Sequence, residues 1–484
     1  MASDNHITRM ITGFRNCFRI PELKERIIFT LLVLGVCRLI AWVPIPGLDG
    51  VELQNYFDQL REKQSQGGIG FMGMYSMFTG GAWERWSIGG LGIMPYISAT
   101  IILQLMSPII PRLSRLSREE GGRVKIMQIG RVMTLFLCLG QGFVMSLGWL
   151  SPDTVLEGWG DRGALATPGP WYHLQTMMAL TCGTLLLMWL GEQITERGIG
   201  NGVSLVIMIG IVADLPRALP MTWDMFGGQV VNYLNVVADA VGWEQIPWNG
   251  APDGRNIFEG IFLVILMLAV VAGVVAVTQA QRKVPVQHAQ RAVGRKVYAG
   301  GSSFMPLRVN YSGVMPLIFA QAILMFPGMV FNALGAKYPF FLSAAALFQP
   351  GHPFYYLTYG MMIMFFAYFW VATTFNEIEI ADNLKKNGGY IPGIRPGKAT
   401  SDFLHRTMSR ITFAGASFLV IIALIPMLLG LWRNIPYQVT QFFGGTSILI
   451  AVGVTIDTMR QMESYLLMRH YDGFLRKGRV RGRF

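Results

Sequence analysis

The sequence holds few side chains in patterns that could carry enzyme chemistry. The four cysteines, Cys17, Cys37, Cys138 and Cys182, form no CxxC pair, and the six histidines show no metal-ligand spacing. There is no HExxH, GxSxG or P-loop motif. The stretch 198–202 (GIGNG) is a very weak phosphate cradle, because it follows no predicted strand and leads into an apolar run. We therefore expect a protein that is not an enzyme, with no catalytic residue, metal or cofactor.

Polar residues lie instead inside long apolar stretches. Asn201, Gln321, Gln438 and Gln441 each neighbour Ile and Val positions. Burying an amide without a partner costs free energy, so these residues fit a central path that is partly wet. Arg38 is the only basic residue well inside an apolar run, and we interpret it as a paired structural arginine rather than a gating charge. No run carries two carboxylates at its middle, unlike many proton-coupled transporters.

The elements that must position these residues are membrane-spanning helices. Hydrophobic residues make up 52% of the 484 residues and charged residues 14%, against about 25% in soluble domains. A spanning helix needs roughly 20 apolar residues. The sequence predicts an all-α polytopic membrane protein with ten spans, at 27–43, 87–106, 132–150, 174–191, 202–219, 257–277, 312–331, 354–375, 411–432 and 436–456.

The basic residues predict how the spans are oriented. With ten spans, 31 of the 40 Lys and Arg residues fall on the side that holds both termini, which the positive-inside rule assigns to the cytoplasm. The even number favours two inverted five-helix halves around a central pore. The predicted domains are a cytoplasmic segment 1–26, a first half 27–219, an external connection 220–256, a second half 257–456 and a basic cytoplasmic tail 457–484.

Three segments differ from simple spans or connectors. The Gly-rich stretch 71–92 predicts a short half-inserted helix at about 71–78, with an external loop as the alternative. Loops 278–310 and 376–410, named here the first and second basic loops, carry six Lys and Arg residues each. Their charge fits either plain orientation signalling or a docking surface for a large partner.

Four motifs resemble one family in order along essentially the whole chain. They are GIMPYISATIILQL (92–105), LMWLGEQITERGIGNGVS (187–204), ADNLKKNGGYIPGIRPG (381–397) and FGGTSILI (443–450). Each is similar to a segment of the SecY family of bacterial protein-conducting channels. The resemblance implies a channel that passes unfolded polypeptides across the membrane and releases hydrophobic segments sideways into lipid.

The resemblance also assigns site residues. It implies a plug at 71–80, containing Phe71, Met72, Met74, Tyr75, Met77 and Phe78. It implies a pore ring of Ile93, Ile97, Val203, Ile207, Ile318 and Ile450, in which Val203 replaces a commoner Ile. It places a lateral gate between spans two and three on one side and spans seven and eight on the other.

Partners and location follow from the same resemblance. It implies SecE and SecG subunits, the SecA motor ATPase, the translating ribosome, signal sequences with unfolded preproteins, and membrane lipids. Motor and ribosome docking falls on Arg282, Lys283, Arg291, Arg295, Lys296 and Arg395. The expected location is the bacterial inner (plasma) membrane, with many passes and both termini cytoplasmic. The alternatives are a secondary transporter of a small solute and, behind it, a membrane-embedded enzyme.

Overall fold

The computed structural model describes most of the apolar part of the chain. The described residues are 20–47, 56, 75–76, 78–119, 121–150, 169, 171–241, 257–288, 291–293, 296–298, 301–335, 338–349, 351–433, 435 and 437–477. These residues are mostly helical. Their helices are α1 (Pro21–Ile40), α2 (Met94–Ile109), α3 (Pro111–Arg118), α4 (Gly122–Leu150), α5 (Tyr172–Arg197), α6 (Gly202–Val241), α7 (Ile257–Gln279), α8 (Met315–Gly335), α9 (Pro339–Leu347), α10 (Pro353–Thr374), α11 (Glu377–Lys386), α12 (Lys398–Arg433), α13 (Tyr437–Phe443) and α14 (Thr446–Lys477).

Several of these helices are long and apolar enough to cross a membrane. Within the described ranges, five segments meet that criterion, at Val124–Leu150, Tyr172–Arg197, Phe258–Gln279, Pro353–Lys386 and Lys398–Gly430. Shorter apolar helices run over Met94–Ser107, Gly202–Ala213 and Met315–Met325. The chain is therefore a multi-pass membrane protein. The exact number of ten spans stays a prediction from the sequence.

The two basic loops contain strands, which corrects the expectation of a purely α-helical chain. The strands are β1 (Gln281–His288), β2 (Arg291–Val293), β3 (Lys296–Tyr298), β4 (Ser302–Arg308) and β5 (Gly389–Tyr390). β1 pairs antiparallel with β4 and with β5, so one sheet joins the first basic loop to the second. β2 and β3 form a separate antiparallel pair. The strands form because Val284 and Val286 alternate with exposed residues and are buried beneath them.

Three helix boundaries differ from the predicted spans. α2 begins at Met94 rather than at 87, because 80–93 folds as turns ahead of Pro95. α6 continues to Val241, through Asp214 and Pro216 and into the predicted external connection. The predicted span 436–456 is two helices that break at Gly444 and Gly445.

The described residues divide into two compact units. The first unit comprises those within Met1–Arg217, Gly328–Ala345 and Val454–Phe484, and the second those within Ala218–Pro327 and Ala346–Gly453. In the first unit α4 packs along α5, with α1 against α5 and α2 against α4. In the second unit α12 packs against α7, α10, α11 and α13. A buried apolar cluster connects the sheet to these helices through Val284, Leu307, Val371, Phe375, Ile391, Leu404, Met408 and Ile411.

Candidate functional site

Four of the six predicted ring residues lie in the first unit. Ile93 is the N-cap residue of α2 and Ile97 lies one turn later, while Val203 and Ile207 are one turn apart on α6. Val203 is half-buried, and the other three are at most 4% exposed. A Cβ at Gly191 of α5 would lie 3.7 Å from both Ile93 Cδ1 and Val203 N, so this glycine lets the two helix starts approach each other.

The other two ring residues lie in the second unit. Ile318 on α8 is 1% exposed and Ile450 on α14 is fully buried. Gln321, on the helical turn after Ile318, is also fully buried, and its side-chain oxygen and nitrogen have no hydrogen-bond partner among the described residues. An unpaired buried amide is costly, and the wet path stays a prediction. The side chains of Gln438 and Gln441 lie outside the described part.

The GIGNG stretch joins α5 to α6 and is not a phosphate cradle. We call it the GIGNG bracket, because side chains of three helices hold its backbone in place. Three of its backbone N–H groups donate to side-chain oxygens: Ile199 to Thr30 (3.1 Å), Gly200 to Gln461 (2.8 Å) and Gly202 to Thr195 (2.9 Å). Gly198 N donates to the Ile194 carbonyl (2.8 Å), and just after the stretch Val203 N and Ser204 N donate to Asn201 Oδ1 (3.1 and 3.4 Å). An anion would find these donors occupied. The bracket ties the start of α6, which carries two ring residues, to α1 and α14.

Thr30 and Gln461 are functional-site residues that sequence reasoning missed. They are far from the GIGNG stretch in sequence, and nothing in their local spacing indicates a shared partner. Asn201, by contrast, precedes an apolar run, which is the ordinary sequence signal of a helix N-cap.

The end of the predicted plug segment is a turn closed by local hydrogen bonds. Of the predicted plug residues, Tyr75 and Phe78 are described and buried, whereas Phe71, Met72, Met74 and Met77 lie outside the described residues. The Ser76 carbonyl accepts from Gly81 N (2.8 Å) and the Ser76 hydroxyl donates to Glu84 Oε1 (2.6 Å). Residues 75–76 and 78–79 are helical, and the rest of the helix predicted at 71–78 lies outside the described residues.

The residues after this turn are fastened to the first unit. Ile45 N donates to Trp86 O (2.8 Å) and Ile88 N donates to Val43 O (2.9 Å), so the chain after α1 pairs with the chain before α2. Trp86 has a φ of 48°, which is costly for a bulky side chain, and stacks on Trp149 of α4 with ring centroids 4.3 Å apart. These contacts hold the approach to α2 against α4.

Arg38 is paired, as predicted from the sequence. Its Nη1 donates to the carbonyl of Gly80 at 2.8 Å. A cavity of about 30 Å³ adjoins this contact, and its lining includes Arg38, Phe78, Thr79 and Ile93. The end of the predicted plug segment and a predicted ring residue therefore border the same small cavity within the first unit.

The predicted docking residues lie on the strands and turns of the two basic loops. Arg282 and Lys283 are exposed on β1, Arg291 is on β2, and Lys296 is on β3. Arg395 is exposed in the turn after β5, whereas Arg295 lies outside the described residues. β1 and β5 belong to one sheet, so the structure brings parts of the two basic loops together.

The Arg395 turn is held by its neighbours. Thr400 Oγ1 donates to the Arg395 carbonyl (3.0 Å), and Ile391 is buried in the apolar cluster beneath the sheet. Gly393 and Gly397 have φ values of 83° and 104°, which favour glycine. The turn therefore displays the Arg395 side chain from a fixed backbone.

Known proteins resemble this chain over most of its length. The SecY family model matches residues 87–459. The protein translocase subunit SecY of Thermotoga maritima is 39% identical over 477 residues, covering 98% of this chain and 100% of the relative.

Two solved structures share the fold at 17% identity, each covering 95% of both chains. One concerns a SecY protein whose plug domain stabilises the closed state of the translocation channel and maintains a membrane seal, with a TM-score of 0.57. The other is Sec61 in the canine ribosome-channel complex from the endoplasmic reticulum, with a TM-score of 0.54. At this identity the two structures show the fold alone. The family match over residues 87–459 and the near-complete alignment to a relative show that the chain belongs to the SecY family.

Proposed function

We propose that this chain is a protein-conducting channel that translocates unfolded secretory polypeptides across a membrane and releases hydrophobic segments sideways into the bilayer. The observation that carries the proposal, beside family membership, is the cavity bordered by both Phe78 of the plug segment and Ile93 of the ring. A plug end beside a ring residue is what a closed conduit would require. Secondary transport of a small solute, the alternative, gains no support from relatives named as protein translocase subunits.

The proposed constriction consists of Ile93, Ile97, Val203, Ile207, Ile318 and Ile450 in one ring. A pore that passes any sequence gains nothing from directional hydrogen bonds to its substrate. Branched apolar side chains make few such bonds and yield around a passing chain. A narrow apolar constriction also dewets, which resists ion flow when no substrate is present.

The proposed topology has ten transmembrane helices in two inverted halves, with both termini in the cytoplasm of a bacterial cell and the channel in its inner membrane. The excess of Lys and Arg on one side supports this orientation. On this topology both basic loops, and the sheet that joins them, face the cytoplasm.

The proposed lateral exit lies between α2 and α4 on one side and α8 and α10 on the other. A Leu-, Ile- or Val-rich segment gains free energy in hydrocarbon, whereas one central charge costs about 2.5–3.5 kcal/mol on insertion scales. A channel that opens transiently to lipid can sort its substrates by that difference.

The proposed energy source is external. The SecA motor and the translating ribosome would dock on the two basic loops, and SecE and SecG would complete the channel. The exposed Arg282, Lys283 and Arg395 support docking of an anionic partner such as ribosomal RNA. The structural likeness to Sec61 from a ribosome-channel complex supports the same assignment.

A reconstitution experiment tests the function. Vesicles that contain this protein with SecE, SecG, SecA and ATP should accumulate a secretory precursor in protease-protected form. Vesicles without this protein are the matched control. Accumulation of a small solute but no protected precursor would contradict the proposal and favour the transporter.

A further inference from the structure

We propose that Arg38 is a positioning residue that fastens the end of the plug segment to α1 and so keeps the resting channel sealed. This inference rests on the proposed function, since it assigns a role to one contact within the closed channel. Arg38 lies in the last turn of α1, and its Nη1 donates to Gly80 O, 42 residues away in the sequence.

The backbone at Gly80 is built for this contact. Gly80 and Gly81 have φ values of 63° and 76°, a region that other residues resist. A Cβ at Gly80 would collide with Arg38 Nη1 and would lie 2.9 Å from Gly210 Cα on α6. A Cβ at Gly210 would in turn lie 3.1 Å from Phe78 O. The guanidinium and the two backbones approach this closely only because both positions are glycine.

The chemistry of Arg38 suits a fastening role. A guanidinium stays charged and offers five donors in a rigid fork, so a bond to a carbonyl is charge-assisted. The adjoining cavity of about 30 Å³ has room for about two water molecules, by the measure of roughly 10–15 Å³ for each. Arg38 is the single charged residue of that lining. The half-buried guanidinium thus borders space for water while its Nη1 holds Gly80.

The position of the bond decides what it restrains. The turn after the plug is closed by local bonds, such as Trp83 N to Thr79 Oγ1 at 3.3 Å, which would move with the turn. Arg38 reaches this turn from a separate helix. Loss of the bond should therefore leave the turn folded but loosen it from α1, next to Ile93 of the ring.

Arg26 provides a matched control on the same helix. Its Nη1 donates to the carbonyl of Gly198 at 3.4 Å, at the other end of α1 and beside the GIGNG bracket. Arg26→Gln and Arg38→Gln thus remove the same charge and the same kind of bond from one helix. Only Arg38→Gln removes a bond to the plug segment.

Amide hydrogen exchange of the reconstituted channel with its partner subunits tests the contact itself. Arg38→Gln should speed exchange in 75–84 severalfold and leave 198–204 unchanged, while Arg26→Gln should leave 75–84 unchanged. Unchanged exchange in 75–84 of Arg38→Gln would overturn the proposal, whether or not the channel translocates. This readout also separates a loosened plug from general misfolding, which would speed exchange in both segments and contradict the proposal.

Resting ion conductance in planar bilayers, measured without substrate, tests whether the Arg38–Gly80 bond keeps the channel sealed. Arg38→Gln should raise it severalfold, and Arg38→Lys should give a smaller rise. Gly80→Ala should also raise it, because a Cβ there would collide with Arg38 Nη1 and with the Gly210 backbone. If wild type translocates precursor while Arg38→Gln keeps the wild-type conductance at equal abundance, the fastening role is wrong and the channel function stands.

Discussion

The GIGNG bracket gives the sharpest test of how the start of α6 is held, and Thr30 is the residue to change. Thr30 is 7% exposed; its Oγ1 donates to Arg26 O (2.8 Å) and accepts from Ile199 N (3.1 Å). Thr30→Val keeps the shape but leaves the Ile199 N–H buried without an acceptor. Such an orphaned donor costs about 1–3 kcal/mol. That cost corresponds to a factor of roughly 5–150 in an opening equilibrium.

Hydrogen exchange of a peptide covering 198–204 measures that opening directly. Thr30→Val should accelerate its exchange by the factor given above. Thr30→Ser keeps the hydroxyl and loses only a methyl group, worth about 0.8 kcal/mol, so it should accelerate exchange by about fourfold at most. Equal exchange in Thr30→Val and wild type would show that this bond does not hold the bracket, and the reasoning would fail.

Three further predictions concern the ring, the gate and the docking surface. Replacing Ile97 and Ile318 together with Asn should hydrate the constriction and raise resting conductance in planar bilayers, whereas Leu at both positions should not; equal conductance of the Asn and Leu pairs would contradict the assigned ring. A cross-link between α2 and α8 shorter than a helix-packing distance of about 8–10 Å should block membrane integration and signal-sequence insertion. A long flexible linker should restore both activities, and activity with the short cross-link would argue against lateral opening. Arg395→Glu should strongly impair SecA-driven translocation at equal membrane abundance and Arg395→Lys should be intermediate, because Lys keeps the charge but loses the fork; a wild-type rate for Arg395→Glu would exclude the docking role.

The sequence predicted the helices well where apolar runs are long. The span predicted at 257–277 is α7, Ile257–Gln279, and the span predicted at 354–375 is α10, Pro353–Thr374. It failed at Gly444, because a break in an apolar run depends on a tertiary contact. A Cβ at Gly444 would lie 2.9 Å from Pro426 of α12, which only the folded chain shows.

The strands and the bracket were not predictable for a related reason. In β1, Val284 and Val286 alternate with Lys283 and Pro285, but two apolar positions among charges are too short a pattern to distinguish from a loop. The partner strand β5 lies in the second basic loop, far from β1 in the sequence. Likewise the pairing of Arg38 was predicted, but its partner Gly80 was not, because a backbone carbonyl carries no signature in the sequence.

The central claim is that a translocating polypeptide passes the ring residues of this chain. A photo-reactive amino acid at Ile207, which is 2% exposed, should cross-link to a precursor arrested halfway through translocation. The same group at Leu31, which is 61% exposed on α1, should cross-link to lipid and not to precursor. We predict a precursor adduct at Ile207 that requires SecA and ATP. An adduct at Leu31 with none at Ile207, under conditions in which precursor becomes protease-protected, would contradict the account.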